Sequence, residues 1–489
     1  MMKQIDFLNY FPFSSIREGQ NITLNEAQKT IHDWDVLVVR APVGSGKSAI
    51  AVAMQLGFNA AGLGCSILTP NNILRAQYTE EFNHLSTVFS INDYVVPKHS
   101  LWHGRRKLPH KDLGVGDFKK MYGVWPRGNE YTKDLNHCKK KLTPTCLNYY
   151  SYLAHRMYKD VVIFDEGHNV LEMLKNVHAF KIWKHLVNFP SGLKTFGELL
   201  EWAEENQNFA RVGDLLKELQ RQHPASVIEY ANDSYHGQLK ECIKVRPLSV
   251  SDYSPILWPD KTKRIIIMSA TISKHEISKL GLSDRVVKYV DTLSPIPIER
   301  RPLVPLSVAD MSYRNQPESI PLIAQKIIDL ASKHKGEKGL IHATYGIAQK
   351  LKAHLSENPR FIFHNHVNKK EIFNKFKESD DLILIGSGMS EGISLYQDLA
   401  RWQCITKVPY PSLVDSSNRW ILKNEPEYYR WLTARELLQS YGRVSRGEDD
   451  YGITYVLDSS WERWYTQTKA DLPAWFKEGV VTDEKLLDR

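Results

Sequence analysis

The sequence predicts an α/β protein of two lobes built around parallel sheets, and three observations predict it. The apolar run DVLVVR (residues 35–40) leads straight into the glycine-containing stretch APVGSGKS (41–48), and a helical pattern follows from Lys47 to about Leu56. A further apolar run ends in two adjacent acids in DVVIFDEGHN (160–169). The second half repeats the style with KGLIHA (338–343), FIFH (361–364), DLILIG (381–386), QCITKVP (403–409) and ITYVLD (453–458), and helical stretches separate several of them. Unbroken apolar runs are what strands covered on both faces require, and the intervening helices supply the crossovers.

Length agrees with more than one domain. The chain has 489 residues, 42% of them hydrophobic, enough for large cores and too many for one ordinary domain. No window approaches the roughly 20 continuous apolar residues of a membrane span. The start MMKQIDFLNYFPFSS lacks the charged-then-apolar pattern of a secretory signal, so the expectation is a soluble, cytoplasmic protein without a membrane partner. Five scattered cysteines (65, 138, 146, 242 and 404) argue against a disulfide framework.

Each element then carries its own chemistry. In the glycine stretch, Gly44 and Gly46 let the backbone curl so that N–H groups of the loop, Ser45 included, point at phosphate oxygens. Lys47 adds a point charge, the helix N-terminus adds its dipole, and Ser48 can ligate magnesium. Ala41 stands where the strict pattern has its first glycine. Hydrolysis needs a metal-side carboxylate and a water-activating base at the end of a second strand. Asp165 and Glu166 supply them, and His168, three residues after Asp165, can link the site to another part of the fold. In QSYGRVSRG, Gln439, Arg443 and Arg446 recur at helical spacing on one face, and arginines can neutralise charge on a transferring phosphoryl group.

The net charge of +8 is concentrated. Between Asp93 and Asp160 stand 14 Lys/Arg against six acids, an excess equal to that of the whole chain. Arg105, Arg106, Lys107, Lys139, Lys140 and Lys141 are its densest clusters, and Tyr94, Trp102, Tyr122, Trp125, Tyr131, Tyr149 and Tyr150 are interleaved with them. Rings beside cations suit single-stranded nucleic acid; a solvated surface over core aromatics is the other reading. Cys138 and Cys146 are the only thiols in this interval. With His103, His110 and His137 they fit no standard zinc spacing, and two are too few for a four-cysteine iron–sulfur cluster, so none is expected. Between residues 171 and 244, FGELLEWAEENQNFARVGDLLKELQRQ carries an apolar stripe of Leu199, Leu200, Ala203, Leu215, Leu216 and Leu219, read as helix packing or as a face for a protein partner.

Taken in order, APVGSGKS, LTPNNILRAQY (68–78), DEGHN, MSAT (268–271), GSGMSEGISL (386–395) and QSYGRVSRG resemble the motifs of superfamily 2 helicases of the XPD/DinG-like, DEAH-type branch. FPFSSIREGQ (11–20), SPIPIERRPLVP (294–305) and EGISLYQDLARWQCITKVPYPSL (391–413) match segments particular to that branch. The resemblance implies two RecA-like lobes. Lobe 1 would comprise 1–92, 161–170 and 245–298, interrupted by a basic aromatic insert at 93–160 and a helical, Arch-like insert at 171–244; lobe 2 would comprise 299–489. It further implies ATP and magnesium as cofactors, with Gln20 and Arg17 beside the adenine. Ser269, Thr271, Gly388, Glu391 and Gly392 would couple the nucleotide to the nucleic-acid track, with Gly392 at the nucleotide, and Arg443 and Arg446 would be arginine fingers supported by Gln439. Ser394 departs from the branch, which usually has Asp there. The implied activity is a monomeric helicase moving 5′ to 3′ on single-stranded and forked DNA. A translocase that remodels DNA without sustained unwinding, and a non-catalytic nucleotide-gated binding module, remain the alternatives.

Overall fold

A computed structural model describes residues 5–96, 102–103, 106–107, 114–122, 125–126, 129–222, 224–364, 368–386, 400–445 and 449–481. The chain forms two compact units, residues 1–39 with 46–290 and residues 40–45 with 291–489. No helix among the described residues is long and apolar enough to cross a membrane.

The first unit is built on a six-stranded sheet ordered Val287–Asp291, Val36–Arg40, Arg264–Ser269, Val161–Phe164, Cys65–Thr69 and Thr145–Asn148. Its central strands are buried along their whole length, which is why they read as unbroken apolar runs. Their pairings are parallel and in step: Leu68 and Ile267 both lie level with Phe164. Residues following these strands therefore leave the sheet along one edge, and Asp165 donates its backbone N–H to Leu68 O at that edge (2.9 Å).

The strand Thr145–Asn148 pairs with Cys65–Thr69, so the stretch from 145 onward belongs to this sheet and not to the basic insert expected to run to Asp160. What remains of that insert includes the helices Val115–Tyr122 and Glu130–Cys138 and a short antiparallel pair, Trp102–His103 with Arg106–Lys107.

The second insert corrects the all-helical expectation. Its helices Phe196–Glu205 and Ala210–Gln220 cover an antiparallel sheet ordered Phe180–Trp183, Gln238–Pro247 and Ser226–Tyr235. Leu199, Ala203, Leu216 and Leu219 are buried there with Ile182, Ile228, Ile243 and Val245, so the apolar stripe is core, with Leu200 and Leu215 packed against it. The long strands are joined by His236–Gly237, both with positive φ (49° and 82°), the backbone that matches a tight hairpin to strand twist.

The second unit carries a six-stranded sheet ordered Leu303–Ala309, Ile453–Asp458, Trp402–Ile405, Gly339–His342, Ile383–Gly386 and Phe361–Phe363, all in parallel pairings. Each apolar run read from the second half became a strand. Buried Trp402 stacks on His334 (ring centroids 5.1 Å, 11° between planes), whose two ring nitrogens are held by Glu337 and the Tyr455 hydroxyl. Gly339 lies directly beneath this ring. A Cβ there would come within 2.4 Å of Trp402, so Gly339→Ala is expected to destabilise the second unit by about 1–3 kcal/mol, the range for overpacking a well-filled core. Urea denaturation followed by tryptophan fluorescence measures it.

Candidate active site

The strand Val36–Arg40 ends where the glycine loop begins, and the helix Lys47–Ala60 starts immediately after it. Gly44 and Gly46 hold left-handed backbone (φ 81° and 75°), a region closed to most residues and open to glycine. The Ser45 hydroxyl turns inward to Pro42 O (2.7 Å), and the Ser45 N–H donates to the same carbonyl (3.3 Å), so this N–H is turned into the loop and not outward as expected. Against this loop lies the segment predicted to meet adenine. A Cβ on Gly46 would fall 2.2 Å from the Gln20 amide nitrogen and 3.9 Å from an Arg17 guanidinium nitrogen. Gln20 in turn accepts from Arg17 N–H (3.0 Å), which starts the helix Glu18–Lys29. The structure thus brings Arg17, Gln20 and Gly46 together, and Lys47 and Ser48 follow in the first turn of their helix.

The acids sit on the same sheet edge. Lys47 Nζ is 3.7 Å from Glu166 Oε1. Glu166 has left-handed backbone (φ 47°), an uncommon conformation for a glutamate that clusters at functional sites. The turn is held by the Tyr149 hydroxyl, which donates to Asp165 O (2.6 Å) and lies 3.3 Å from Glu166 O. Gly167 is required by closeness, since a Cβ would meet Ile267 at 2.3 Å. Asp165 is buried, 2% exposed. Its Oδ2 accepts from the Tyr78 hydroxyl (2.8 Å) and its Oδ1 from Glu166 N–H (2.9 Å). Burial, then the neighbouring Glu166 charge, push its carboxyl up to about 6, with Lys47 pulling the other way.

From Glu166 a polar chain runs onward. His168 Nδ1 lies 3.4 Å from Glu166 Oε2 and 2.8 Å from Ser269 Oγ, and Ser269 Oγ accepts from Thr271 N–H (3.0 Å). His168, Ser269 and Thr271 are thereby joined to the acids by direct contacts. Tyr78 and Tyr149 were missed by the sequence reading, where both counted only as interleaved aromatics or motif text.

The oxygens of Ser48 and Asp165 are the hard donors magnesium takes. No group of three or more His, Cys, Asp or Glu side chains able to hold a metal occurs among the described residues. A magnesium ion held by one or two protein oxygens and nucleotide phosphates needs no such cage, so these residues fit it. Cys138 and Cys146 lie in different surroundings. Cys138 neighbours Asp134 and Lys159, and burial pushes its thiol up to about 12; Cys146 neighbours Asp165 and Arg75, and burial raises it further.

The basic residues divide. Lys139, Lys140 and Lys141 are exposed, but their loop is fixed at the opposite edge of the first sheet: buried Lys159 donates to Lys140 O and Lys141 O, and Lys141 pairs with Asp160 (3.1 Å), the residue before the strand that Asp165 follows. The four-residue strand alone separates them by roughly 13 Å. Arg106 and Lys107 form their short strand, whereas Arg105 lies outside the described residues.

In the second unit, the helix Pro426–Tyr441 carries Gln439 and stops at Gly442. The helical spacing expected to align Arg443 with Gln439 therefore does not hold, because glycine ends helices readily and Arg443 lies beyond the cap. Arg443 sits near His342, whose imidazole is pushed down to about 4 by burial first, against the opposing Gln403 bond, with Arg443 lowering it further. Gly388, Glu391, Gly392, Ser394 and Arg446 lie outside the described residues. An open cleft of about 400 Å³ occupies the same sheet edge, lined by His342, Thr344, Lys407, Tyr410, Ser412 and Glu436 among others.

A glycine loop before a helix, with an Asp–Glu pair at the end of another strand of the same sheet, one strand away, defines a phosphate-binding α/β unit of the kind that nucleoside triphosphatases use. Family comparison extends this. Residues 340–479 match a helicase C-terminal domain family, and residues 14–193 match the family described as type III restriction enzyme, res subunit. Among curated proteins, the chain resembles ATP-dependent DNA helicase CHL1 of Saccharomyces cerevisiae (26% identity over 200 residues, 32% of this chain and 22% of that one). It also resembles chl1 of Schizosaccharomyces pombe (29% over 161 residues, 28% and 18%). The matches thus span under a quarter of those relatives' lengths. Among solved structures, one titled XPD_Helicase superposes over 96% of this chain and 100% of that one (TM-score 0.59, 14% identity). S. tokodaii Xpd4 does so over 93% and 98% (TM-score 0.58, 16% identity). The fold is that of two RecA-like lobes, as in these structures.

Gly46→Ala tests the loop. It puts a side chain both into left-handed backbone, at about 1–2 kcal/mol, and onto Gln20, so binding of a fluorescent ADP analogue is expected to weaken on the order of tenfold or more. An unchanged far-ultraviolet dichroism spectrum would show that the fold survives.

Proposed function

We propose that the protein is an ATP-dependent DNA helicase that moves 5′ to 3′ along single-stranded DNA and opens forked duplex, driven by hydrolysis of Mg-ATP. The observation that carries the proposal is the unbroken chain Lys47–Glu166–His168–Ser269–Thr271, because a hydrolysis site wired to a second motif is what a motor needs and a passive nucleotide-binding module does not. The curated relatives, named as ATP-dependent DNA helicases, support the same reading.

In this mechanism the glycine loop and Lys47 bind the triphosphate, and Gln20 with Arg17 receive the adenine. Ser48 and Asp165 would hold a magnesium ion, which when bound would supply positive charge against the phosphates. Glu166 orients a water and takes its proton as the water oxygen bonds to the γ-phosphorus and the bond to ADP breaks. His168 and Ser269 pass the resulting change at Glu166 to Thr271. Arg443 and Arg446 take the part of arginine fingers, with Gln439 supporting them, and Glu391 and Gly392 act in the coupling. Gly388 joins them. The basic insert, through Arg105, Arg106 and Lys107, holds the strand. For Lys139, Lys140 and Lys141 the proposal is a separate contact with nucleic-acid phosphates, away from the nucleotide.

Steady-state hydrolysis with and without single-stranded DNA tests the assignment. Glu166→Gln is expected to lower stimulated turnover by about 10²- to 10⁴-fold, the usual worth of a general base, while nucleotide still binds. Unchanged turnover would remove Glu166 from the role. Replacing Arg105, Arg106 and Lys107 together by Ala is expected to make the salt dependence of single-strand binding shallower by about 2 in log–log slope, at about 0.7 per phosphate contact. An unaltered slope in a fluorescence-anisotropy titration would return the cluster to ordinary solvated surface.

A further inference from the structure

Asp165 raises a problem that its motif does not answer. A carboxylate this deeply buried has to be held in one orientation before a metal ion and its nucleotide arrive, and Lys47 points to Glu166. Among the described residues, the side chain that hydrogen-bonds the Asp165 carboxylate from outside its own turn is Tyr78, on the helix Asn72–Glu81.

Tyr78 is 1% exposed, and its hydroxyl donates to Asp165 Oδ2 at 2.8 Å. The side chain of Ser48 is a neighbour of the same hydroxyl. One phenol oxygen is therefore bonded to Asp165 and lies beside Ser48, the two residues that would serve the magnesium ion. Its own position is fixed from the helix: Asn71 caps the N-terminus by accepting from Leu74 N–H (2.9 Å), Arg75 anchors one face to Val88 O (2.7 Å), and the Tyr78 ring packs on Phe82 (6.0 Å between centroids). Packing alone would be served as well by phenylalanine, so the hydroxyl is the part that calls for a role. A carboxylate offers about four lone-pair sites. Tyr78 and Glu166 N–H take one on each oxygen, and the rest stay open to a hydrated cation.

We propose that Tyr78 is a positioning residue for magnesium-dependent nucleotide binding, its hydroxyl setting Asp165 and Ser48 in the arrangement that receives the metal. The inference rests on the ATP reading above. It assigns Tyr78 no contact with the reacting atoms.

Tyr78→Phe and the parent chain are titrated with a fluorescent ADP analogue, methylanthraniloyl-ADP, in EDTA and at rising magnesium. The expected result is a magnesium midpoint raised about tenfold with affinity in EDTA kept within about twofold, since a hydrogen bond to a charged group is lost while the ring remains. An unmoved midpoint overturns the proposal, and so does an equal loss of affinity in EDTA, which would mark Tyr78 as packing only. Should the parent itself bind no nucleotide, the ATP reading fails and this inference with it; should the parent bind with a magnesium-dependent affinity that the variant shares, Tyr78 alone is excluded.

Discussion

The first unit depends on one constraint: a carboxylate, Asp165, is buried at the end of the strand Val161–Phe164 and has to be compensated there. Unpaired, such a group is too costly to keep charged in the interior. The compensation comes from three directions, a phenol on the helix Asn72–Glu81, the backbone of Glu166, and the cationic neighbourhood of Lys47. Each of these elements emerges from the same edge of one parallel sheet, and the in-step pairing of the strands brings them level. Charge balance at one residue thus fixes how Lys47, the acid turn and the helix Asn72–Glu81 stand to one another.

The turn after Asp165 shows what that constraint allows. Glu166 adopts left-handed backbone, Gly167 fits under Ile267, and Tyr149 gathers the carbonyls from the end of the strand Thr145–Asn148, two places along the sheet. The result points the Glu166 carboxylate back to Lys47 and His168, not into solvent alone. Strain stored in one residue is tolerated because the surrounding contacts over-determine it.

The parts of this fold legible in the sequence were those where local pattern and tertiary role coincide. Apolar runs became buried strands, and Gly44 and Gly46 took the positive φ that a phosphate loop asks of them. Lys47, Asp165 and Glu166, which the fold brings together, stood out in the sequence for the same reason, as charges at the ends of apolar runs. Tyr78 and Tyr149 did not, because a buried tyrosine contributes the same apolar pattern whether or not its hydroxyl has a partner. The hairpin Ser226–Tyr235 with Gln238–Pro247 was hidden by polar residues on its outer positions and by a His-Gly turn that composition does not single out. In QSYGRVSRG the spacing suggested a helix, but Gly442 ended it, a reminder that periodicity over eight residues cannot outweigh a cap. Lys139–Lys141 illustrate the other limit: charge density identifies a basic surface and not the edge of the sheet on which it lies.

Unwinding of forked duplexes tests the central claim most directly, that hydrolysis at this site drives movement along a strand. Forks carrying a single-stranded tail of only one polarity are incubated with the protein and ATP, and strand release is followed by loss of energy transfer between paired dyes. The account expects ATP-dependent release from forks with a 5′ tail and little from those with a 3′ tail. Release that does not need ATP, or none from either fork under conditions where DNA stimulates hydrolysis, would contradict it.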